Sequence, residues 1–333
     1  MCVCPGMIIA LIASAYDLIY WYLRPFIKWF LRKTTKLCEL QRICYGDPHG
    51  ALRTSNVGRL TVVNPRDLQT SLSPARQNEL KTVLGNLGVL ADSGRFTEDY
   101  AARPLAFSIK RILEVKQINP DIHREFVPSI NTCLLQIYGY KQLVYSVEQL
   151  RKTAYSAANM AHEKKLMELW DCLMPLTPLE SRISKNWTEI GFQGDDPQTD
   201  FRGMGCLGLD NLLYFASQHT QAAQHVLSHS RHPKYGYSFA IVGINLTSMA
   251  YHFLVQGKLK FHLYNFVNGC PTVDDFHHIY CYFFFEFDKF WLSEKPQDIM
   301  EFSRIRAKFE ERMSSLLSRT GAVLNFNMAI ETL

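Results

Sequence analysis

The stretch TVDDFHHIYCYFFFEFDKFW, residues 272–291, decides the fold class. Its aromatic residues recur at helical spacing and form one face: Phe276, Tyr280, Phe283, Phe287 and Phe290. Two aspartates closely follow Thr272, an arrangement that is typical of the first turn of a helix. Because a face this apolar must pack against other elements, the pattern predicts a core helix that begins at Thr272.

The same period appears on both sides of this stretch. Apolar residues at helical spacing occur at 130–137, 143–150, 166–173, 242–253 and 302–316. Thr177-Pro178-Leu179-Glu180 is interpreted as a capping box, which predicts a further helix running to Trp187. No stretch alternates for long with a period of two, which a half-buried strand would need. The sequence therefore predicts an all-α fold.

Four regions follow from these patterns. Residues 160–320 are predicted to form a single helical domain, and residues 108–159 a helical preface to it. Residues 46–107 are rich in Ser, Thr, Asn, Gly and Arg without a sustained period, although 76–90 is compatible with a helix. We expect 46–107 to be a linker or a poorly ordered insertion. Residues 1–45 form a hydrophobic and basic N-terminal segment.

Composition excludes several classes of protein. The 333 residues are 47% hydrophobic and 20% charged, which excludes a disordered or collagen-like chain. The net charge is +5, and residues 1–46 hold six Lys or Arg against Asp17 and Glu39, so the remainder is nearly neutral. A nucleic-acid-binding protein would carry more positive charge on its folded part, so no nucleic-acid partner is expected.

Nine cysteines are present, and none belongs to a CxxC pair. An odd number without a regular framework indicates free thiols in a reducing compartment and argues against a structural zinc finger. His225, His229 and His232 have a spacing that resembles metal ligands, but no HExxH motif accompanies them. We expect no metal and no cofactor.

The N-terminal segment suggests membrane association. Residues 7–23 are apolar except Ser14 and Asp17, and five Lys or Arg follow within 24–36, interleaved with aromatic residues. A secretory signal would need a basic start, which this segment lacks. A short transmembrane span, an anchor lying in the membrane interface and a helix packed on the folded domain all remain open. Each of these three leaves the bulk of the chain in the cytosol, and an anchor is expected to hold it at the cytosolic face of an intracellular membrane.

One segment breaks the helical pattern. Residues 187–205, WTEIGFQGDDPQTDFRGMG, contain glycines, an Asp-Pro pair, three aspartates and an arginine within a short distance. Such residues are typical of a turn-rich loop, and loops on a rigid scaffold commonly carry function. GMGCLG at 203–208 matches GxGxxG, but no strand precedes it and no acidic residue follows at the required distance, so a dinucleotide site is not expected.

The string WTEIGFQGDDPQTDFRGMGCLGLDNLLYF, residues 187–215, resembles the signature of the ELMO domain. The resemblance extends through CELQRICY at 38–45, INPD at 118–121, CLLQIYGYKQL at 133–143, ESRISKNW at 180–187, GYSFAIVGINLTSMAYHFL at 236–254 and FEFDKFW at 285–291. The chain is similar to the short ELMO domain-containing proteins rather than to the long ELMO scaffolds. Residues 46–107 and the start at Cys2 and Cys4 depart from the family's pattern.

The resemblance implies a GTPase-activating protein for GTP-bound Arf-family GTPases, especially the Arf-like ones. It implies that Arg202 is the catalytic residue, supplied in trans, and that the chain is not itself a hydrolase. The other residues expected to support Arg202 or to contact the partner are Gln193, Asp195, Asp196, Asp200 and Gly203. A non-catalytic adaptor that binds GTP-loaded Arf-like proteins at a membrane is the alternative function.

The physical case for Arg202 rests on the chemistry of phosphoryl transfer. An arginine supplied to a small GTPase stabilises the charge that develops on the transferred phosphoryl group, and it raises the rate by about 10³–10⁵. Gly203 is expected to permit an unusual backbone beside it, and Asp196 or Asp200 to orient its guanidinium. The alternative is that Arg202 pairs with these aspartates only to hold the loop together. Gln193 would orient the attacking water or a switch residue of the GTPase or, more simply, tie the loop backbone through its amide.

Overall fold

We analysed a computed structural model that describes residues 22–23, 26–63 and 74–328. These residues form helices and no strand, which confirms the predicted all-α fold. The α-helices are α1 (Glu39–Gly46), α2 (Ala51–Gly58), α3 (Pro74–Asp92), α4 (Glu98–Lys116), α5 (Phe126–Lys152), α6 (Met160–Leu173), α7 (Gly205–Gln218), α8 (Thr220–Ser230), α9 (Phe239–Val255), α10 (Lys260–Phe266), α11 (Val273–Glu294) and α12 (Phe302–Leu317). Residues 26–35 are also helical, a π-helical turn follows α2, and short 3₁₀ helices lie at Lys185–Ile190, Pro197–Arg202 and Ile299–Glu301.

The chain divides into two compact units. The first comprises the described residues within Met1–His49, Arg53–Asn86 and Arg103–Leu134. The second comprises those within Gly50–Leu52, Leu87–Ala102 and Leu135–Leu333. The turn-rich segment at 187–205 and the helices on either side of it, α6 and α7, belong entirely to the second unit.

Helix α11 is the central element of the second unit. Its N-cap Thr272 and Asp275 form a reciprocal capping box, so the helix begins where the sequence predicts. Four of the five residues on the predicted aromatic face are completely buried, and the fifth, Phe290, is half-buried against the same core. Burying one such aromatic side chain contributes about 2–3 kcal/mol. The predicted core helix is therefore confirmed.

The predicted helix from Thr177 to Trp187 is wrong. After α6 the chain is irregular until the 3₁₀ helix Lys185–Ile190. The buried indole of Trp170 donates to the Thr177 carbonyl at 2.7 Å, and that of Trp187 donates to the Arg182 carbonyl at 3.0 Å. Because tertiary hydrogen bonds engage these carbonyls, they override the local helix signal.

The expectation for residues 46–107 also differs from the structure. In its described part this region contains α2, α3 and most of α4, and Val57, Leu60, Leu80 and Leu84 are buried. The compatible stretch at 76–90 is indeed helical, and its two glycines do not interrupt α3. Polar residues and glycines make the helical spacing of the apolar residues hard to recognise in this region. The buried Leu80 and Leu84 nevertheless have that spacing. Residues 64–73 lie outside the described part.

No helix in the described part of the chain is, on its own, long and apolar enough to cross a membrane. Helices α9 and α10 pass that test only as a pair, and they are bent by 83° at the break between them. Most of α9 is buried in the core of the second unit, which explains its apolar character. Nearly all of the apolar run at 7–23 lies outside the described residues.

Two buried histidines predict that acid destabilises the fold. Burial lowers the pKa of His262 and of His277 to about 4, whereas an unfolded histidine has a pKa of about 6.5. Between these values the unfolded chain binds protons that the folded chain does not, so stability falls as the pH falls. Each histidine should contribute about 1 kcal/mol of lost unfolding free energy per pH unit below 6.5, measured by urea unfolding at pH 7, 6 and 5.

The variant His277→Gln provides the comparison. The Nδ1 atom of His277 donates to the Asn211 Oδ1 atom at 2.6 Å, and a glutamine amide can make the same donation without titrating. The variant should lose stability less steeply than the native chain on acidification. The hydrogen bond to Asp288 raises the pKa of His229, so protonation of His229 stabilises the folded chain as the pH falls. Both proteins contain His229, so it does not affect the comparison. If the unfolding free energy of the two proteins depended equally on pH, folding would not lower the pKa of His277.

Candidate functional site

The signature loop, defined here as residues 191–204, connects the 3₁₀ helix Lys185–Ile190 to α7 and contains the 3₁₀ helix Pro197–Arg202. Phe192, Pro197 and Phe201 are buried, and the two end residues, Gly191 and Met204, are half-buried. The exposed residues are Gln193, Gly194, Asp195, Gln198, Thr199, Arg202 and Gly203. The loop thus exposes amides, one carboxylate and one guanidinium to solvent.

A chain of buried aromatic rings anchors the loop. Trp187 packs edge-on against Trp170 at 5.4 Å between ring centroids and against Phe192 at 5.8 Å. Phe192 packs on Phe201 at 5.6 Å, and Phe201 packs on Tyr155 at 5.3 Å. All five are buried. The continuous row of packed rings fixes the loop to the core and makes it stiff.

Glycines shape the two ends of the loop. Gly191 has φ +84°, and a Cβ placed there would lie 2.3 Å from the backbone nitrogen of Phe239. Gly205 has φ +52°, and a Cβ there would lie 2.3 Å from the Arg151 carbonyl oxygen. Gly203, in contrast, has φ −78° and ψ −35°, which is ordinary right-handed helix. The prediction that Gly203 permits an unusual backbone is wrong, because that need arises at Gly191 and Gly205 instead.

The three aspartates of the loop have different partners. The Asp200 carboxylate accepts from the Gln193 backbone N–H at 2.8 Å and closes the loop across its base. Burial raises the pKa of the Asp200 carboxyl, although that N–H and the charge of Arg202 oppose the shift. The Asp196 carboxylate accepts from the Gln198 backbone N–H at 3.0 Å and so caps the 3₁₀ helix. The Asp195 backbone carbonyl accepts from the Ser184 N–H at 3.0 Å, and among the described residues its exposed carboxylate has no hydrogen-bond partner.

Arg182 is the arginine that holds the loop. Its guanidinium lies 3.0 Å from Asp196, 2.5 Å from Glu163 and 3.3 Å from the Tyr155 hydroxyl. Sequence reasoning gave it no role, although it lies within the conspicuous block ESRISKNW. Its partners lie 14 residues downstream and 19 upstream, so nothing in the local pattern shows them as a group.

Arg202 ends the second 3₁₀ helix and is exposed. Within the part of the chain that the structure describes, its side chain forms no hydrogen bond and no ion pair. The interpretation that Arg202 pairs with Asp196 or Asp200 to hold the loop therefore finds no support in its contacts. The guanidinium is presented to solvent, and it acts on the Asp200 carboxyl through its charge without forming an ion pair.

Gln193 shares this exposed surface. Its backbone N–H, not its side-chain amide, ties the loop to Asp200. The amide itself has no hydrogen-bond partner among the described residues. The simpler expectation, that this amide ties the loop backbone, is not what the structure shows, and its role toward a partner stays a prediction.

The alternative sites considered from sequence have structural explanations. The GxGxxG match at 203–208 lies at the end of a 3₁₀ helix and the start of α7, without a strand before it. His229 is hydrogen-bonded to the buried Asp288 at 2.7 Å, and Asp288 also accepts from Tyr237 at 2.6 Å. Searching the described residues finds no group of three or more His, Cys, Asp or Glu that could hold a metal ion. The cysteines in these residues are all free.

Comparison with known proteins places this loop in a family. The sequence model of the ELMO/CED-12 family matches residues 145–306, which include the whole loop. ELMO domain-containing protein 2 of Mus musculus is 47% identical over 305 residues, which cover 91% of this chain and 94% of that protein. ELMO domain-containing protein 1 of Homo sapiens is 44% identical over 323 residues, covering 90% and 89%.

A more distant relative is also similar to this chain over most of its length. ELMO domain-containing protein B of Dictyostelium discoideum is 34% identical over 290 residues, which cover 86% of this chain and 92% of that protein. The similarity spans nearly the whole length of each relative and is not confined to the signature loop. The chain belongs to the ELMO/CED-12 family, among the ELMO domain-containing proteins.

Proposed function

We propose that this chain is a GTPase-activating protein that stimulates GTP hydrolysis by Arf-family, especially Arf-like, small GTPases through Arg202. The single observation that carries the proposal is the state of Arg202. It is exposed at the end of a stiff loop, and the carboxylates nearest in sequence, Asp196 and Asp200, already have other partners. An arginine in this state is available to an anion brought by another molecule.

The geometry suits the chemistry of the transition state. A small GTPase supplies the nucleotide and its Mg²⁺, and what it lacks is positive charge near the transferring phosphoryl oxygens. Arginine is always charged and offers a planar fork of donors to such oxygens. A rate increase of about 10³–10⁵ corresponds to about 4–7 kcal/mol of barrier. Because buried rings already order the loop, little conformational entropy is lost on docking.

The remaining loop residues are assigned to support and partner contact. Asp200 and the Gln193 backbone close the loop, and Asp196 caps the helix that carries Arg202. The exposed side chains of Asp195 and Gln193 are the ones placed to contact the partner. Gly203 leaves the position after Arg202 without a side chain, which keeps access to the guanidinium open.

The alternative is an adaptor that binds a GTP-loaded Arf-like protein without accelerating hydrolysis. The same exposed surface, with its amides and its carboxylate, favours binding as much as catalysis. Single-turnover hydrolysis with the purified chain and a panel of GTP-loaded Arf and Arl proteins separates the two functions. An activator accelerates hydrolysis by at least one member, whereas an adaptor binds the GTP form and leaves the rate unchanged.

We also propose that the N-terminal segment attaches the chain to a membrane from the cytosolic side. The described residues of this segment expose large apolar side chains: Tyr22 by 70%, Leu23 by 49%, Phe26 by 62%, Trp29 by 56% and Phe30 by 51%. The Lys33 ammonium group lies 5.1 Å from the Trp29 ring. Aromatic residues interleaved with cations are typical of an interfacial anchor.

The triple variant Phe26→Ser, Trp29→Ser, Phe30→Ser should bind vesicles containing anionic lipid about tenfold or more weakly than the native chain, because it removes apolar surface that would insert. Co-sedimentation of the full chain with such vesicles measures this. Phe107→Ser, which removes an equally exposed aromatic ring elsewhere, is the matched control. High salt should weaken an interfacial anchor and leave a span in place. Unchanged binding by the triple variant would rule out a role for these aromatics.

A further inference from the structure

We propose that Arg182 is a positioning residue that keeps Arg202 free and correctly placed for the partner's nucleotide; the inference rests on the proposed function. Two arginines serve the same loop in different ways. Arg182 forms ion pairs with Glu163 and Asp196, whereas Arg202 forms no hydrogen bond or ion pair with any described residue. Arg182 therefore acts within the loop, whereas Arg202 is left available to the partner.

Arg182 joins three separate elements through one guanidinium. Its Nε atom donates to the Glu163 carboxylate at 2.5 Å on α6. Its Nη1 atom lies 3.0 Å from the Asp196 Oδ1 atom, and its Nη2 atom donates to the Tyr155 hydroxyl at 3.3 Å. Tyr155 itself donates to Glu163, which closes the network. A planar fork with five donors makes these contacts at once, and a lysine ammonium cannot reproduce that geometry.

Asp196 transmits this arrangement to Arg202. The Oδ1 atom that faces Arg182 also accepts the Gln198 N–H and so caps the helix Pro197–Arg202. The position of Asp196 therefore sets the start of the short helix whose last residue is Arg202. Asp196 thus fixes the first turn of a helix of only two turns, and Arg202 is the last residue of its second turn.

Arg182 also neutralises a carboxylate that would compete for Arg202. The loop contains three aspartates, and only Arg182 forms an ion pair with one of them in the described part of the chain. Without Arg182, the half-exposed Asp196 carboxylate would lose the one cation that the described residues pair with it, and it would attract the exposed guanidinium of the same loop. Arg202 would then be drawn onto its own loop. A displacement of about 1 Å in a positioning contact costs up to about 10²-fold in rate.

The test compares single-turnover GTP hydrolysis at saturating chain with binding of the same GTPase loaded with a non-hydrolysable analogue. Arg182→Ala should lower the saturated rate by about 10–100-fold and change the dissociation constant much less. Arg182→Lys should be nearly as slow, because the fork is lost. Arg304→Ala, which removes an exposed ion-paired arginine on α12, is the matched control and should keep the native rate.

A second substitution separates positioning from simple destabilisation. Asp196→Asn keeps an oxygen that can cap Gln198 but removes the charge that would attract Arg202. The double variant Arg182→Ala, Asp196→Asn should therefore recover much of the rate lost by Arg182→Ala. A loss without recovery overturns the positioning role and assigns Arg182 to direct contact with the partner. If Arg182→Ala stimulates GTP hydrolysis at the same rate as the control Arg304→Ala, the positioning role is overturned as well.

Hydrogen exchange of the isolated chain makes the result independent of the GTPase. The backbone N–H groups of Gln193 and Gln198 donate to the carboxylates of Asp200 and Asp196. Arg182→Ala should therefore accelerate hydrogen exchange in the signature loop and not in α12. If the native chain stimulates no GTPase, the proposed function fails while this measurement still decides the effect on the loop. Unchanged exchange in Arg182→Ala would refute the ordering role whatever the activity.

Discussion

Replacement of Arg202 by alanine should lower stimulated GTP hydrolysis by about 10³-fold or more while the protein stays folded. The reason is that Arg202 makes no hydrogen bond or ion pair with any described residue, so its removal leaves no buried group unsatisfied. Exposed substitutions of this kind usually change stability by no more than about 0.5 kcal/mol. Single-turnover hydrolysis and thermal unfolding of the same preparation measure the two effects.

Arg202→Lys sharpens this prediction. Lysine keeps the charge but loses the planar fork, so the rate should again fall by orders of magnitude. The loss should appear in the rate at saturation rather than in half-saturation, because the contact strengthens only as charge develops. A folded Arg202→Ala chain with the native rate would end the arginine mechanism, and Gln193 would be the next residue to replace.

Replacement of Gly191 by alanine should destabilise the second unit by about 3 kcal/mol or more. The residue has φ +84°, and its Cβ would lie 2.3 Å from the Phe239 nitrogen and 2.7 Å from the Ser238 carbonyl carbon. These are backbone atoms at the start of α9, so no side-chain rotation can relieve the clash. Urea unfolding, followed by circular dichroism, measures the change in unfolding free energy.

Gly203→Ala is the matched control within the same loop. Its φ of −78° suits alanine, and a Cβ at Gly203 would meet nothing within 4 Å. Its unfolding free energy should therefore stay within about 0.5 kcal/mol of the native value. Equal stability of the two variants would mean that the loop does not pack against residues 238–239 as described.

The helices of the core could be predicted because their sequence signal is periodic and local. Helix α11 carries both a capping box and a full aromatic face, and each of these is visible within one stretch of sequence. Trp187 and Phe192 could be expected inside because large aromatic residues seldom face solvent in a structured loop. Glycines and the Asp-Pro pair located the loop along the chain, and the resemblance to the ELMO domain then drew attention to Arg202 within it.

The missed features depend on contacts between residues distant in sequence. The false helix at Thr177 had a correct local signal, but the indoles of Trp170 and Trp187 engage the carbonyls that follow α6 and precede the loop. The sequence did not indicate a role for Arg182, because its partners Glu163 and Asp196 are distant in sequence and come together only in the fold. No local pattern of charges separates such an internal arginine from an exposed one.

The most direct test of the central claim is the single-turnover rate of GTP hydrolysis by an Arf-like GTPase with saturating purified chain. The native chain should raise the rate by about 10³-fold or more, and Arg202→Ala should return it to the intrinsic rate while still binding the GTP-loaded GTPase. Tight binding of the GTP form by the native chain with no acceleration of hydrolysis would contradict the claim, and it would identify the chain as an adaptor.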